Sequence, residues 1–310
     1  STSMYSKSTN EDERFMRRCL ALARCGAGRT APNPMVGAVV VHEGRIIGEG
    51  YHMHFGGPHA EVNAFTSVKP EDNPLLPEAT IYVSLEPCSH YGKTPPCADL
   101  IISKGIKRCV CGCIDPFAKV QGRGIQRMRE AGIEVIVGVM EQQCLALNRR
   151  FITFNEQHRP YIILKWAQTA NGFIARNDGP LQLSTPETQL LVHKMRAEND
   201  AILVGHTTFL TDHPRLDVRQ WSGPNPERIV LSPSMSAANE RPEGWIVAAT
   251  IDEVLDRLYA EKKQSLIVEG GNKTLQAFLE RGLWDEIRVE TAPTTIAEGI
   301  AAPPIPGNTC

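Results

Sequence analysis

Strand-length and helix-length patterns alternate through this sequence, and the alternation starts twice. Thr80 to Leu85, Lys107 to Cys113 and Glu134 to Val139 read as strands, separated by helical patterns over Cys97 to Lys104 and Gly124 to Ala131. Such alternation predicts a partly parallel sheet with helices on both faces, because parallel neighbours need a crossover long enough to hold a helix. Residues 144–159 break the pattern with charged and polar groups ending in Arg159-Pro160, which predicts a linker or boundary. The alternation then resumes. It runs through Tyr161 to Ala167, a helix from Pro186 to Ala197, Ala201 to Gly205, Arg228 to Leu231, a helix from Ile251 to Lys262, Ser265 to Glu269, a helix ending at Arg281, and Glu286 to Glu290. A chain of 310 residues, 42% of them hydrophobic, can fill two separate cores. Two α/β domains are expected, over 10–150 and 151–310, after an appended scar and flexible N-terminus over 1–9; the Pro- and Gly-rich tail from Ala301 reads as loop, as if the second domain were shortened.

Upstream of the first alternation, Asn10 can cap a helix whose apolar residues Phe15, Met16, Cys19, Leu20 and Leu22 recur with helical spacing. The run from Met35 to Val41 turns at Glu43-Gly44 and returns through Ile46 and Ile47, a hairpin signal. Gly56-Gly57-Pro58 then ends in a residue suited to a first helical turn, and His59 opens that helix.

Thirty-three Lys and Arg nearly balance 35 Asp and Glu, so no global field attracts a nucleic-acid backbone or an anionic membrane. Apolar runs such as Ala38 to Val41 are only strand-length, and no secretory signal is legible, which points to the cytosol and a small-molecule partner. Nine cysteines without regular spacing do not make a disulfide framework. Alternation of Cys109, Cys111 and Cys113 places all three on one face of a strand, where buried packing is the expected role.

Against that background, four residues stand in an order with chemical meaning: His59-Ala60-Glu61 at a helix start, Glu86-Pro87-Cys88 at a strand end, and Cys97 at the next helix start. One imidazole and two thiolates leave a fourth tetrahedral position for water, the donor count of a catalytic zinc. Neither His52 nor His54 has a carboxylate two residues on, so His59 is the favoured ligand. Glu61 lies beside the metal without ligating it, free to carry protons. His-x-Glu with Pro-Cys and a second Cys is the signature of zinc deaminases, here with eight residues between the cysteines instead of two.

That insert, Ser89-His90-Tyr91-Gly92-Lys93-Thr94-Pro95-Pro96, together with Pro32-Asn33-Pro34-Met35-Val36-Gly37 and His59-Ala60-Glu61-Val62, resembles the bacterial bifunctional riboflavin-biosynthesis deaminase and reductase family. The likeness runs from about residue 10 to 295. It implies a cytidine-deaminase-like three-layer α/β/α domain followed by a dihydrofolate-reductase-like α/β domain. It also implies one zinc per chain and a phosphorylated diaminopyrimidinone substrate, met by Asn33, His52, His90 and Lys93.

The second half alone offers only a Gly-rich turn, Glu269-Gly270-Gly271-Asn272-Lys273-Thr274, between a strand and a helix, a place suited to phosphate but unlike the dinucleotide fingerprint. Lys165 to Gly172, Arg196 to Gly205 and Thr207 to Arg219 resemble the reductase half of the same family. The resemblance implies that Ala167, Gln182, Thr208, Asp212 and Gly271, Asn272, Lys273 and Thr274 hold NADPH, and that Arg196, Leu216, Arg219 and Glu269 meet the substrate. The sequence departs from that family at Asn171, Gln182 and its C-terminal end. The reaction implied is zinc-dependent hydrolytic deamination, then reduction of a ribosyl to a ribityl chain. A homo-oligomer is expected, and two readings compete: a nucleic-acid-editing deaminase, disfavoured by the balanced charge, and a deaminase whose second domain is a non-catalytic module.

Overall fold

The computed structural model describes residues 9–90, 94–117, 121–177, 183, 185–212 and 224–306. The chain divides into two compact units, Ser1–Asn155 and Glu156–Cys310.

In the first unit, α1 (Asn10–Arg24) leads into the hairpin of β1 (Gly37–His42) and β2 (Arg45–Tyr51). Glu43 and Gly44 both have positive φ, 47° and 75°, which matches the right-handed twist of the two strands they join. Next come α2 (Ala60–Thr66), a 3₁₀ segment (Pro70–Glu78), β3 (Thr80–Val83), α3 (Cys97–Ser103), β4 (Arg108–Cys111), α4 (Arg123–Glu130), β5 (Glu134–Val137), α5 (Glu141–Leu147) and α6 (Arg149–Gln157). The sheet order is β2-β1-β3-β4-β5, with β1 antiparallel to both neighbours and β3, β4 and β5 parallel. One face, through Val40, Ile81, Cys109, Cys111 and Val135, packs on α2, α3 and α4. The other, through Val39, Tyr82, Val110 and Ile136, packs on α1 and α5. Three layers result.

Several local expectations are corrected. Thr9, not Asn10, caps α1: its hydroxyl accepts from the Asp12 N–H while Asp12 accepts from the Thr9 N–H. Cys113 does not share a face with Cys109 and Cys111, because β4 ends at Cys111 and the chain turns, so Cys113 joins the α1 side. All three are buried, as packing requires. The polar stretch 144–159 does hold the division between the two units, after Asn155, but it is mostly helix and not open linker: α5 buries Cys144 and α6 buries Phe154.

Asp12 also ties α1 to the sheet. Arg108 in β4 donates two bonds of 2.9 Å to its carboxylate, and the Tyr82 hydroxyl donates a third at 2.8 Å. Burial alone would push this carboxyl up; the Arg108 and Tyr82 bonds outweigh it and hold it at about 2, against an ordinary 3.8. The folded pKa is depressed, so the stabilisation is full above pH 4 and is lost as pH falls toward 2. It amounts to about 2 kcal/mol. Asp12→Asn should therefore lose less stability than the parent between pH 5 and pH 2 in urea titrations. At pH 7 it should be less stable by about 3 kcal/mol, because Arg108 loses its buried counter-charge.

The second unit builds a six-stranded sheet, order β10-β9-β8-β11-β6-β12, whose neighbours are all parallel. Its elements are β6 (Tyr161–Gln168), β7 (Phe173–Ala175), α7 (Pro186–Ala197), β8 (Ala201–Gly205), α8 (His206–Asp212), β9 (Glu227–Leu231), α9 (Pro233–Ala237), β10 (Trp245–Ala248), α10 (Ile251–Ala260), β11 (Ser265–Glu269), α11 (Asn272–Glu280), β12 (Glu286–Thr291) and β13 (Ile300–Ala301). Strands buried on both faces read as near-continuous apolar runs, and Ala201 to Gly205 is buried throughout. Within the tail read as loop, β13 pairs antiparallel with β7, and the Asn171 side chain donates to the Ile296 carbonyl at 2.7 Å. Among the described residues, no helix is long and apolar enough to cross a membrane.

Candidate active site

Three local structures bring the sequence-predicted ligands together. His59 is the N-cap of α2, placed there by the turn through Gly56 (φ 82°) and Pro58. Cys88 follows the end of β3. Cys97 is the first residue of α3, and its backbone N–H donates to the Cys88 sulfur at 3.2 Å while Ala98 N–H donates to the Cys88 carbonyl at 3.0 Å. The His59 Nδ1 lies 3.3 Å from the Cys97 Sγ and 3.9 Å from the Cys88 Sγ. All three donor atoms fall within 4.8 Å of one another, close enough to share one ion. One imidazole and two sulfurs suit zinc, and the fourth direction is left for a reacting oxygen.

The electrostatics fit that reading. Contact with Cys97 and His59 brings the Cys88 thiol down to about 4 despite its burial, and the same contact pushes Cys97 up. The Cys88 bond also raises His59, against its burial. Glu61, in the first turn of α2, is 4% exposed, and burial and then the neighbouring Cys88 charge push its carboxyl up. A buried carboxyl beside the ligand cluster is placed to take and give a proton.

Helix α2 lies close against β2 because β2 carries no side chain where they meet. A Cβ at Gly50 would sit 2.6 Å from the Ala64 nitrogen, and one at Gly48 would sit 2.5 Å from the Ala64 carbonyl. Asn63 adds a bond from its amide to the Tyr51 carbonyl at 2.8 Å.

Around this centre, His52 is 3% exposed, with Nδ1 3.0 Å from the Pro58 carbonyl and Nε2 3.2 Å from the Asn33 amide nitrogen. A carbonyl only accepts, so Nδ1 carries the proton and Nε2 accepts from Asn33. Burial lowers the His52 pKa, in keeping with this neutral form. Its ring meets the His59 ring edge-on, 5.7 Å between centroids. The His54 ring lies 3.1 Å from its neighbour Phe55's carbonyl and, among the described residues, stays out of the cluster. His90 is exposed, and Lys93 lies outside the described residues.

Sequence reasoning quoted Glu86 within the Glu86-Pro87-Cys88 run without giving it a task. It is 6% exposed and accepts backbone N–H bonds from Gly122 at 3.1 Å, Gly124 at 3.0 Å and Asp115 at 3.4 Å. Two residues from a ligand, it fixes the strand end against the loop that leads into α4. A buried carboxylate could have been suspected from its place between an apolar strand and a proline; its partners, all backbone, leave no mark in sequence.

In the second unit, Glu269 at the end of β11 meets Arg196 of α7 at 3.1 Å and Lys165 of β6 at 3.9 Å. Burial would raise the Glu269 pKa, and these two cations more than offset it, so the carboxylate stays charged. Lys165 is an addition to the set implied by resemblance. Beside this group, Gly270 (φ 146°) and Gly271 approach Thr208, whose Oγ1 would lie 3.6 Å and 3.4 Å from a Cβ on either. Asn272 and Thr274 follow in the first turn of α11, with Thr274 against Gly205. The Asn272 Oδ1 is buried without a hydrogen-bond partner among the described residues. Bare backbone and helix N–H groups form a cradle that fits a phosphorylated cofactor, and the orphaned amide oxygen would accept from a donor of that cofactor, such as a hydroxyl or an amide. Lys273 shares that turn, and Ala167 lies near the end of β6. Gln182, Leu216 and Arg219 lie outside the described residues, and Asp212 is placed only as the last residue of α8.

Comparison with known proteins divides the chain in the same way. Residues 9–113 match the cytidine and deoxycytidylate deaminase zinc-binding region, and residues 160–308 match the RibD C-terminal domain. Riboflavin biosynthesis protein RibD of Aquifex aeolicus is 39% identical over 321 residues, covering 94% of this chain and 89% of that protein. RibD of Escherichia coli K12 is 35% identical over 327 residues, covering 91% and 88%. A crystal structure of a diaminohydroxyphosphoribosylaminopyrimidine deaminase/5-amino-6-(5-phosphoribosylamino)uracil reductase from Thermotoga maritima is similar, with TM-score 0.85, 39% identity, and 94% of this chain and 89% of that chain covered. Acinetobacter baumannii RibD gives TM-score 0.80 at 31% identity, with the same coverage.

Proposed function

The chain belongs to the RibD family of riboflavin biosynthesis proteins, and from that premise we propose the residue roles by which it deaminates and then reduces its substrate. It is a bifunctional enzyme, a zinc-dependent deaminase followed by an NADPH-dependent reductase. The substrate is 2,5-diamino-6-(5-phosphoribosylamino)pyrimidin-4(3H)-one. The observation that carries the reading is the convergence of His59, Cys88 and Cys97 beside the buried carboxyl of Glu61.

His59, Cys88 and Cys97 hold the zinc, which when bound supplies hydroxide near neutral pH. Glu61 takes one proton from the attacking water and gives it to the ring nitrogen, then takes the second from the new hydroxyl and gives it to the departing amine. The carbon–nitrogen bond breaks as the carbon–oxygen bond becomes a carbonyl, and ammonia leaves. Asn33 and His52 form one wall of the pyrimidine pocket, with an amide carbonyl on Asn33 still to offer. His90 and Lys93 approach from the insert, Lys93 toward the phosphate.

In the second unit Gly271 to Thr274, Thr208, Ala167, Gln182 and Asp212 seat the cofactor, which supplies a hydride to the anomeric carbon of the ring-opened ribosyl group. Arg196, Leu216, Arg219 and Glu269 hold the substrate, and Lys165 keeps Glu269 ionised. The balanced charge argues for a small-molecule enzyme with no nucleic-acid partner, and a cytosolic homo-oligomer completes the proposal, as is common for such enzymes.

Both activities are read in one assay on the zinc-loaded chain. Ammonia should be released without NADPH, and NADPH should be oxidised only after deamination or on addition of the deaminated pyrimidine. Ammonia release with no NADPH oxidation would sink the reductase half alone; zinc-loaded protein releasing no ammonia would sink the deaminase.

A further inference from the structure

Asn148 caps the C-terminus of α5, in the stretch that sequence reads as linker, and is 7% exposed. Its carboxamide clasps the backbone of one distant residue at two points. The Met35 N–H donates to Asn148 Oδ1 at 2.7 Å, and Asn148 Nδ2 donates to the Met35 carbonyl at 2.9 Å. These are the bonds a neighbouring strand would make, supplied just before β1 begins at Gly37.

Met35 stands two residues after Asn33, and hydrogen bonds hold the loop on both sides of Pro34. Asn33 N–H donates to the Thr30 carbonyl at 2.8 Å, and the Thr30 hydroxyl donates back to the Asn33 carbonyl at 3.1 Å. The Asn33 amide donates to His52 Nε2, His52 Nδ1 donates to the Pro58 carbonyl, and the His52 backbone N–H donates to the Val36 carbonyl at 3.0 Å. Hydrogen bonds and the Met35–Val36 peptide thus connect Asn148, through His52, to Pro58, the residue before His59. Behind the loop lies a small recess walled by Pro34, Leu85, Phe151 and Ile152, whose apolar lining offers no polar group to replace the clasp.

We propose that Asn148 is a positioning residue for deamination, one that sets Asn33 and His52 against the pyrimidine through the backbone of Met35. It rests on the reading that Asn33 and His52 line the pocket. An amide presents one acceptor and one donor on the same planar end at any pH, which an ionised carboxylate does not. A carboxylate of the same shape would set an acceptor against the Met35 carbonyl and swing the loop.

The test uses the full-length zinc-loaded chain with Asn148→Asp, Asn33→Ala and the double variant. Zinc content, ammonia release and reduction of pre-deaminated substrate are measured on each. Asn148→Asp should keep its zinc and its reduction rate while kcat/KM for deamination falls about 10- to 100-fold, mostly through KM. In the Asn33→Ala background the same change should cost less than about threefold, because its effect passes through Asn33. Should Asn148→Asp fail to fold, Asn148→Ser removes the clasp without adding charge and carries the same cycle. Full additivity, an unchanged kcat/KM, or activity lost in step with zinc would overturn the proposal. A parent protein that holds zinc and releases no ammonia would instead remove the deaminase reading on which it stands.

Discussion

Glu61→Gln should abolish most ammonia release while leaving zinc in place and the reductase untouched. The amide keeps the volume and the buried position but cannot accept the proton of the attacking oxygen or deliver one to the departing amine. General acid–base catalysis contributes about 10²- to 10⁴-fold, and Glu61 serves both transfers, so a loss near the upper end is expected in kcat with little change in KM. Ammonia release against zinc content decides it, and a variant within tenfold of the parent would place the proton carrier elsewhere.

Cys97→Ser should remove the metal. Altering groups that only orient a ligand typically costs 10- to 100-fold in affinity or activity, so loss of a thiolate ligand should exceed about 100-fold in zinc affinity. Zinc per chain after dialysis against a weak chelator should fall from about one toward zero, and deamination with it. The nearly isosteric serine keeps the packing at the start of α3, so reduction of pre-deaminated substrate serves as the folding control. Before zinc binds, His59 and Cys97 are both held protonated to higher pH than usual by their contacts with Cys88. Their protons must leave on binding, so affinity should rise with pH, and titration in two buffers of different ionisation heat should count the protons released. A pH-independent affinity would contradict this donor set.

What the sequence disclosed, and what it hid, divides by the range of the interactions. The order His59, Glu61, Cys88, Cys97 was legible because a reaction demands those residue types, wherever the chain carries them. The β1–β2 hairpin was legible because Glu43-Gly44 marks it locally. By contrast, Asn148 was passed over as linker: one asparagine gives no sign that its partner is a backbone 113 residues away. Cys113 was assigned the wrong face because periodicity cannot tell that β4 stops two residues earlier. In the second unit the Glu269 pairs with Arg196 and Lys165 join three elements brought together only by strand order, so the residues alone offered just a Gly-rich turn. Resemblance supplied the rest.

The bare stretch of β2 at Gly48 and Gly50 bears on any effort to change what this enzyme accepts. With backbone against backbone, α2 has no room to move closer to β2, and a side chain at Gly48 or Gly50 would push the helix that carries Glu61 off the sheet. A larger or differently substituted ring cannot be accommodated by loosening that helix, since every side chain introduced beneath it would tilt the proton carrier away from the metal. Redesign for new bases should therefore leave the glycine floor alone and begin at the residues proposed to meet the pyrimidine, Asn33 and His52.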